Sequence, residues 1–139
     1  MKISKFKAET NLDTDLVGAV INQIGGKSSF KEYAEDIVNH GISGGFSGFT
    51  YYTDTVKFAQ DNKRKIMELA EEMADQLGST GALELIASFN CLNGDYSQTD
   101  IAEAIYSDSD DSEQVLNALA WFAGEEVARS YMDCMECAA

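Results

Sequence analysis

The chain has 139 residues and a net charge of −14, and 45% of its residues are hydrophobic. That hydrophobic content is typical of a globular protein and excludes a disordered acidic tail. A chain of this length fits one domain, which buries roughly two-thirds of its surface on folding. Three cysteines, an odd number, argue against a disulfide framework, and no apolar stretch reaches the length of a membrane span. We therefore predict one soluble, cytoplasmic domain over residues 1–139.

The spacing of apolar residues is helical, and proline is absent, which predicts an all-α fold, a compact bundle of about six or seven helices. The first predicted helix runs from Leu12 to Ile24. It ends at Gly25-Gly26, because glycine adopts the left-handed conformation of a helix end. The second begins at Ser29 and Glu32, which have the spacing of a capping box, and stops at His40-Gly41.

Residues 41–52 hold four glycines and four aromatics, which indicates an ordered loop or a short β excursion. A helix is predicted from Thr53-Asp54-Thr55 to about Asn62, and it continues or restarts as far as Gly78. Shorter helices are predicted near 82–89 and 99–106. The last helix is capped by Asp110 with Glu113 and has its apolar stripe over 116–131.

Charge is distributed unevenly along the chain. Residues 1–65 hold nine Lys/Arg and eight Asp/Glu, whereas residues 66–139 hold one and sixteen. Two acidic clusters stand out in the second half. The first falls on one helix face, at spacings of three and four residues, and consists of Glu68, Glu71, Glu72 and Asp75. The second comes just before the last helix and consists of Asp108, Asp110, Asp111 and Glu113.

Each cluster taken alone has an ordinary explanation, because acidic helix faces are usually solvated surface. The asymmetry favours a binding surface. Glu71, Glu72 and Asp75 lie near a helix C-terminus, where the macrodipole disfavours each anion by roughly 0.3–1 kcal/mol. A surface of this kind repels nucleic acid and anionic lipid and attracts basic proteins. Basic nucleic-acid-binding grooves are the partner class we expect, since carboxylates can stand where phosphates would.

Three motifs resemble catalytic or metal-binding sites, but each lacks residues that such a site requires. The sequence Gly41-Ile42-Ser43-Gly44-Gly45 fits a nucleophile elbow, but the only histidine, His40, precedes it, whereas a hydrolase needs a later one. Cys134 and Cys137, together with Cys91 and His40, could nominally supply four zinc ligands, but only one C-x-x-C pair exists, so free thiols are expected. The run 108–111 lacks the glycine and glutamate of a calcium loop. We therefore expect no catalytic residues, metal or cofactor.

Two aromatic residues are candidates for anchors in a protein interface. Tyr52 ends the glycine-rich stretch, and Trp121 points away from the apolar stripe of the last helix. Most aromatic residues belong to the core, and a core role is one hypothesis for both Tyr52 and Trp121. The alternative is that they are rigid anchors within an acidic rim, the composition of a protein-binding hot spot.

Several short segments together resemble an uncharacterised family of small proteins carried by phages and plasmids. They are His40-Gly41-Ile42-Ser43-Gly44, Tyr51-Tyr52-Thr53-Asp54-Thr55, Leu119-Ala120-Trp121-Phe122-Ala123 and Glu125-Glu126-Val127-Ala128. The resemblance spans roughly residues 38–131. It implies a mobile-element protein in the bacterial cytoplasm, where small acidic proteins often inhibit CRISPR or restriction systems.

We therefore predict a non-enzymatic inhibitor that docks its acidic helices on a basic protein or ribonucleoprotein, without binding nucleic acid or membrane itself. Its predicted contact residues are Glu68, Glu71, Glu72, Asp75, Asp108, Asp110, Asp111 and Glu113, with Tyr52 and Trp121 as anchors. One alternative is an enzyme or small-ligand binder built around His40, Ser43, Tyr51, Tyr52 and Asp54. A second is a structural or regulatory phage protein acting as a homodimer, and both monomer and homodimer stay open.

Overall fold

A computed structural model gives the fold and describes residues 12–40, 55–77, 81–87, 98–106 and 113–138. Regular secondary structure within these ranges is entirely α-helical, which confirms the all-α class. The helices are α1 (Thr14–Ile24), α2 (Lys27–His40), α3 (Thr55–Leu77), α4 (Ala82–Ala87), α5 (Gln98–Tyr106) and α6 (Glu113–Ala138). The loop predicted over 41–52 lies outside the described residues.

The chain divides into two compact units. The first comprises Met1–Asp54 and Ala123–Ala139, and the second comprises Thr55–Phe122. The boundary falls inside α6, so the two halves of that helix belong to different units. The single domain expected over residues 1–139 stays a prediction.

Hydrogen bonds at both ends of α1 explain its length. At the N-terminus, the Asp13 carboxylate accepts the Leu16 backbone N–H at 3.0 Å, which caps the first turn. At the C-terminus, the Gly26 N–H donates to the Ile21 carbonyl at 2.9 Å. Gly25 lies at φ 113° and Gly26 at φ 101°, a region that favours glycine. The predicted end of the first helix at this glycine pair is confirmed.

The second helix begins earlier than the sequence predicted. The Gly26 carbonyl accepts the Phe30 N–H at 2.9 Å, and α2 begins at Lys27. The predicted start at Ser29 is therefore two residues late. The reason is that the backbone of the glycine pair both ends α1 and starts α2, so no side-chain cap is needed at Ser29.

The core of the first unit is built from α1, α2 and the second half of α6. Its edge-to-face ring contact joins Phe30 of α2 to Tyr131 of α6, with ring centroids 5.4 Å apart and planes at 61°. The buried residues of α1 and α2 recur at helical spacing, as expected for amphipathic helices. They are Leu16, Val17, Val20, Ile21, Ile24, Phe30, Tyr33, Ala34 and Ile37.

In the second unit, α3 is the longest helix, and α4 packs against both α3 and α5. The sequence left open a break near Asn62, but α3 is continuous there. The Asn62 side-chain amide donates to the Phe58 carbonyl at 2.9 Å, one turn back, without interrupting the helix. At the start of α3 the Thr55 hydroxyl donates to the side-chain oxygen of Asn117, which ties the helix to α6.

Burial along α6 is more extensive than one apolar stripe. Every residue from Ala118 to Glu125 is buried, so the helix has no solvent-facing side over these two turns. This buried segment lies within the predicted stripe over 116–131. Among the described helices, none combines the length and apolarity that crossing a membrane requires.

Candidate functional site

Four carboxylates form an exposed row on the C-terminal half of α3. The α3 acidic face consists of Glu68, Glu71, Glu72 and Asp75, all exposed. The opposite side of the helix is buried and includes Ile66, Ala70 and Ala74. The hydrophobic period of α3 thus turns all four carboxylates to solvent together, as the sequence predicted.

Little within the described part of the chain neutralises this face. Glu68 forms a surface ion pair with Arg64, at 3.5 Å between Nε and Oε1, in which the two side chains are 61% and 92% exposed. Pairs exposed to this degree contribute little to stability. The other three carboxylates form no ion pair with a described residue. Asp75 lies in the last turn of α3, which has no basic residue, so the helix macrodipole disfavours its charge.

The other predicted contact residues divide into two groups. Tyr52, Asp108, Asp110 and Asp111 lie outside the described residues, and Glu113 opens α6 with its side chain outside the description. Trp121 is described and is only 9% exposed. Of the two hypotheses for Trp121, its burial favours a core residue over an interface anchor, because an anchor must be exposed before it can bind.

A groove beside the α3 acidic face is lined by residues of α3 and α5 and has a volume of about 350 Å³. Its apolar part is formed by Met67 and Ile105, both buried, and by Tyr106, which is 62% exposed. Tyr106 is a large side chain exposed to solvent, whereas the neighbouring apolar residues of the groove are buried. We call this depression the Tyr106 groove.

The Tyr106 groove has charges of both signs around it. Lys63 and Arg64 line it together with Glu68 and Glu71, so two members of the α3 acidic face belong to it. Partial burial, and then the Glu71 carboxylate, raise the pKa of the Tyr106 phenol. The phenol and this carboxylate line the same groove. An aromatic ring beside a carboxylate suits an organic cation.

The role of Tyr106 was not predicted from the sequence, although the carboxylates beside it were. Tyr106 is the last residue of a short helix and follows the buried pair Ala104 and Ile105. Such a position looks like ordinary core. Its closeness to Glu71 depends on how α5 packs beside α3, and no local pattern in the sequence records that arrangement.

Ionisable groups also cluster in the first unit, on the second half of α6. Glu125 is 8% exposed, and its Oε1 accepts from Arg129 Nε at 3.0 Å and lies 2.9 Å from a terminal guanidinium nitrogen. Burial, and then this carboxylate, raise the pKa of Tyr33 well above its usual range. Since Arg129 compensates the buried charge, we assign the Glu125–Arg129 pair to the packing of this unit.

No group of three or more His, Cys, Asp or Glu side chains that could hold a metal ion occurs in the described ranges. Cys91 and the side chains of His40, Cys134 and Cys137 fall outside them. The expectation that these thiols are free and bind no metal stays a prediction.

Comparison with known proteins places the chain in a family. The family model for a domain of unknown function, DUF7222, matches residues 9–137. The chain belongs to this family. The match extends over all the described helices of this DUF7222 domain, in both compact units. The domain matches no curated protein and no solved structure at a significant level.

Proposed function

We propose that this chain is a protein-binding inhibitor that docks the α3 acidic face on a basic, nucleic-acid-binding surface of a partner protein. The observation that carries the proposal is the exposed row of four carboxylates, Glu68, Glu71, Glu72 and Asp75, of which only Glu68 forms an ion pair among the described residues. Such a row attracts a complementary basic surface and speeds association with it.

The charges of α3 run against the direction that stability favours. Its N-terminal half carries four cations, Lys57, Lys63, Arg64 and Lys65, and one carboxylate, Asp61, whereas its C-terminal half carries the acidic face. The positive end of the helix macrodipole is thus near cations and the negative end near anions. Each such charge in a terminal turn destabilises the helix by roughly 0.3–1 kcal/mol. An arrangement that opposes stability supports a role in binding.

The chemistry of the face indicates the class of partner. Carboxylates at intervals of three and four residues lie about 5–6 Å apart along a helix and can pair with lysines and arginines that otherwise hold phosphates. The same charges repel nucleic acid. We therefore propose a partner that binds DNA or RNA, and an inhibitor that competes with that nucleic acid.

The resemblance to proteins carried by phages and plasmids points to one group of such partners. Complexes of bacterial defence, CRISPR and restriction systems among them, handle nucleic acid through basic grooves. We propose a complex of this group as the target, with the inhibitor acting in the bacterial cytoplasm.

The test is an affinity capture from a bacterial lysate at low and high salt with three tagged baits. The first bait is the unaltered chain. The α3 triple variant carries Glu71→Gln, Glu72→Gln and Asp75→Asn. The matched α2 triple variant carries Glu32→Gln, Glu35→Gln and Asp36→Asn, which are also exposed, so both variants lose the same net charge and the same residue types.

We expect the unaltered chain and the α2 triple variant to retain one nucleic-acid-binding protein at low salt and to release it at high salt. The α3 triple variant should not retain it. Equal retention by the two variants would show that the α3 acidic face does not form the contact. Failure of all three baits to retain any nucleic-acid-binding protein would reject the proposal.

A further inference from the structure

We propose that the Tyr106 groove receives an arginine side chain of the partner, with its guanidinium stacked on the Tyr106 ring and paired with the Glu71 carboxylate. This inference rests on the proposed function and specifies the anchor of that interface. It assigns to Tyr106 the aromatic role that the sequence assigned to Tyr52 and Trp121.

The shape and the apolar part of the groove suit a long side chain with an apolar stem. Arginine packs its methylene groups on apolar surface while its charged end stays hydrated. Met67 and Ile105 line the groove, and the exposed Tyr106 ring provides apolar surface beside them. A volume of about 350 Å³ lies at the lower end of the range for small-ligand pockets. It suits an inserted side chain and is too small for a folded element.

The exposed ring favours arginine over lysine. A guanidinium is planar and weakly hydrated, so it stacks on an aromatic face, whereas an ammonium behaves as a strongly hydrated point charge. Tyr106, at 62% exposure, offers its ring to such a cation. Tyrosine and arginine are also enriched in the hot spots of protein interfaces, where anchors on the two sides pair.

The charges around the groove favour one position for the guanidinium. Glu68 is already paired with Arg64, whereas Glu71 forms no ion pair with a described residue and lines the same groove as Tyr106. Lys63 and Arg64 repel a second cation from their side of the groove. The complementary position for the guanidinium is therefore beside Glu71 and Tyr106.

The experiment measures binding of two fluorescent peptides of equal length, polyarginine and polylysine, to the full chain by anisotropy at fixed salt. Tyr106→Ala removes the ring, and Tyr106→Phe keeps it. Glu71→Gln removes a carboxylate that lines the groove. Glu72→Gln is its matched control, since Glu72 is the exposed neighbour that does not line the groove.

We expect the chain to prefer polyarginine over polylysine by about two- to fivefold, the size of a cation–π contact at an exposed site. Tyr106→Ala should abolish this preference, and Tyr106→Phe should retain it. Glu71→Gln should weaken polyarginine binding by about two- to fivefold more than Glu72→Gln does.

Three results would overturn the inference. The first is a preference for polyarginine that survives Tyr106→Ala, and the second is an equal loss with Glu71→Gln and Glu72→Gln. The third is binding of acetyl-arginine amide as tightly as polyarginine, which would make the groove a small-ligand site.

Failure of the inference can be told apart from failure of the proposed function. If both peptides bind equally and the α3 triple variant weakens both, the acidic face binds basic partners but the groove does not select arginine. If neither peptide binds, the acidic face itself is not a docking surface and both proposals fail.

Discussion

Burial raises the pKa of Glu126 to about 7, and the neighbouring Glu125 and Asp133 carboxylates add to the rise while Arg129 opposes it. The unfolded chain should titrate this group near 4.5, so between these two values the folded state binds more protons. Stability contributed by this group therefore increases as pH falls from about 7 to about 4.5, and it is lost as pH rises through 7.

Replacing Glu126 with Gln should remove this dependence. Because glutamine carries no charge, we expect Glu126→Gln to raise the free energy of unfolding at pH 8 by about 1–2 kcal/mol, allowing for partial exposure. The gain should disappear by about pH 3.5, where glutamate is protonated in both states. Urea unfolding at both pH values measures it. Exposed Glu103→Gln is the control, and an equal gain with that variant would contradict the explanation.

The buried carboxylate of Glu125 should depend on Arg129. We expect Arg129→Met to lower the free energy of unfolding by about 2–3 kcal/mol, because it leaves an uncompensated charge in a buried position. Adding Glu125→Gln in the same chain should recover part of the loss. Chemical denaturation of the two single variants and the double variant measures the coupling. Strictly additive losses would show that the two side chains do not depend on each other.

Single residues show where sequence reasoning succeeds and where it stops. The exposure of Glu68, Glu71, Glu72 and Asp75 followed from helical period alone, because one helix decides it. The exposure of Tyr106 did not, since its surroundings come from two helices far apart in sequence. Trp121 was placed off the apolar stripe correctly, but every side of α6 is buried around it, so leaving the stripe did not mean reaching solvent.

Among the elements, the turn between α1 and α2 depends on backbone conformation. Gly26 has φ 101°, and a Cβ there would meet nothing within 4 Å, so a substitution strains only the backbone. We expect Gly26→Ala to lower the free energy of unfolding by about 1–2 kcal/mol. Gly81 is equally open but lacks a positive φ; it precedes α4 and its carbonyl accepts from Glu84 and Leu85, so Gly81→Ala should cost only what an altered N-cap costs, less than about 1 kcal/mol. Thermal unfolding of both variants compares them, and equal losses would contradict a conformational cause.

The acidic face of α3 should reduce the stability of its own helix. The carboxylates that the α3 triple variant removes lie toward a C-terminus without basic residues in its last turn. We expect this variant to be as stable as the unaltered chain or more stable by about 0.5–1 kcal/mol, while it loses binding. Urea unfolding provides the comparison. A marked loss of stability would mean that these carboxylates support the fold instead of a contact.

Helices were easier to predict from the sequence than their ends and surroundings. Glycine chemistry located the end of α1, because the left-handed conformation restricts residue choice. The start of α2 was placed late, since the Ser29–Glu32 spacing resembled a cap that the Gly26 carbonyl makes unnecessary. The burial of every residue from Ala118 to Glu125 had a signal in the unbroken apolar run from Ala118 to Ala123, which one apolar stripe does not explain.

At the scale of the whole molecule, the acidic surplus lies entirely in residues 66–139. Solubility requires net charge but not its concentration in one half of a chain. The α3 acidic face is the described part of that surplus with the most regular spacing. A concentrated field of one sign favours fast, salt-sensitive association with a surface of the opposite sign.

The most direct test of the central claim is competition for the nucleic acid of the captured partner. Anisotropy of a labelled oligonucleotide bound to that partner is followed as the unaltered chain, the α3 triple variant or the α2 triple variant is added. We predict that the unaltered chain and the α2 triple variant displace the oligonucleotide, and that the α3 triple variant does not. A ternary complex of partner, oligonucleotide and unaltered chain would contradict the claim, because the acidic face would then not occupy the nucleic-acid site.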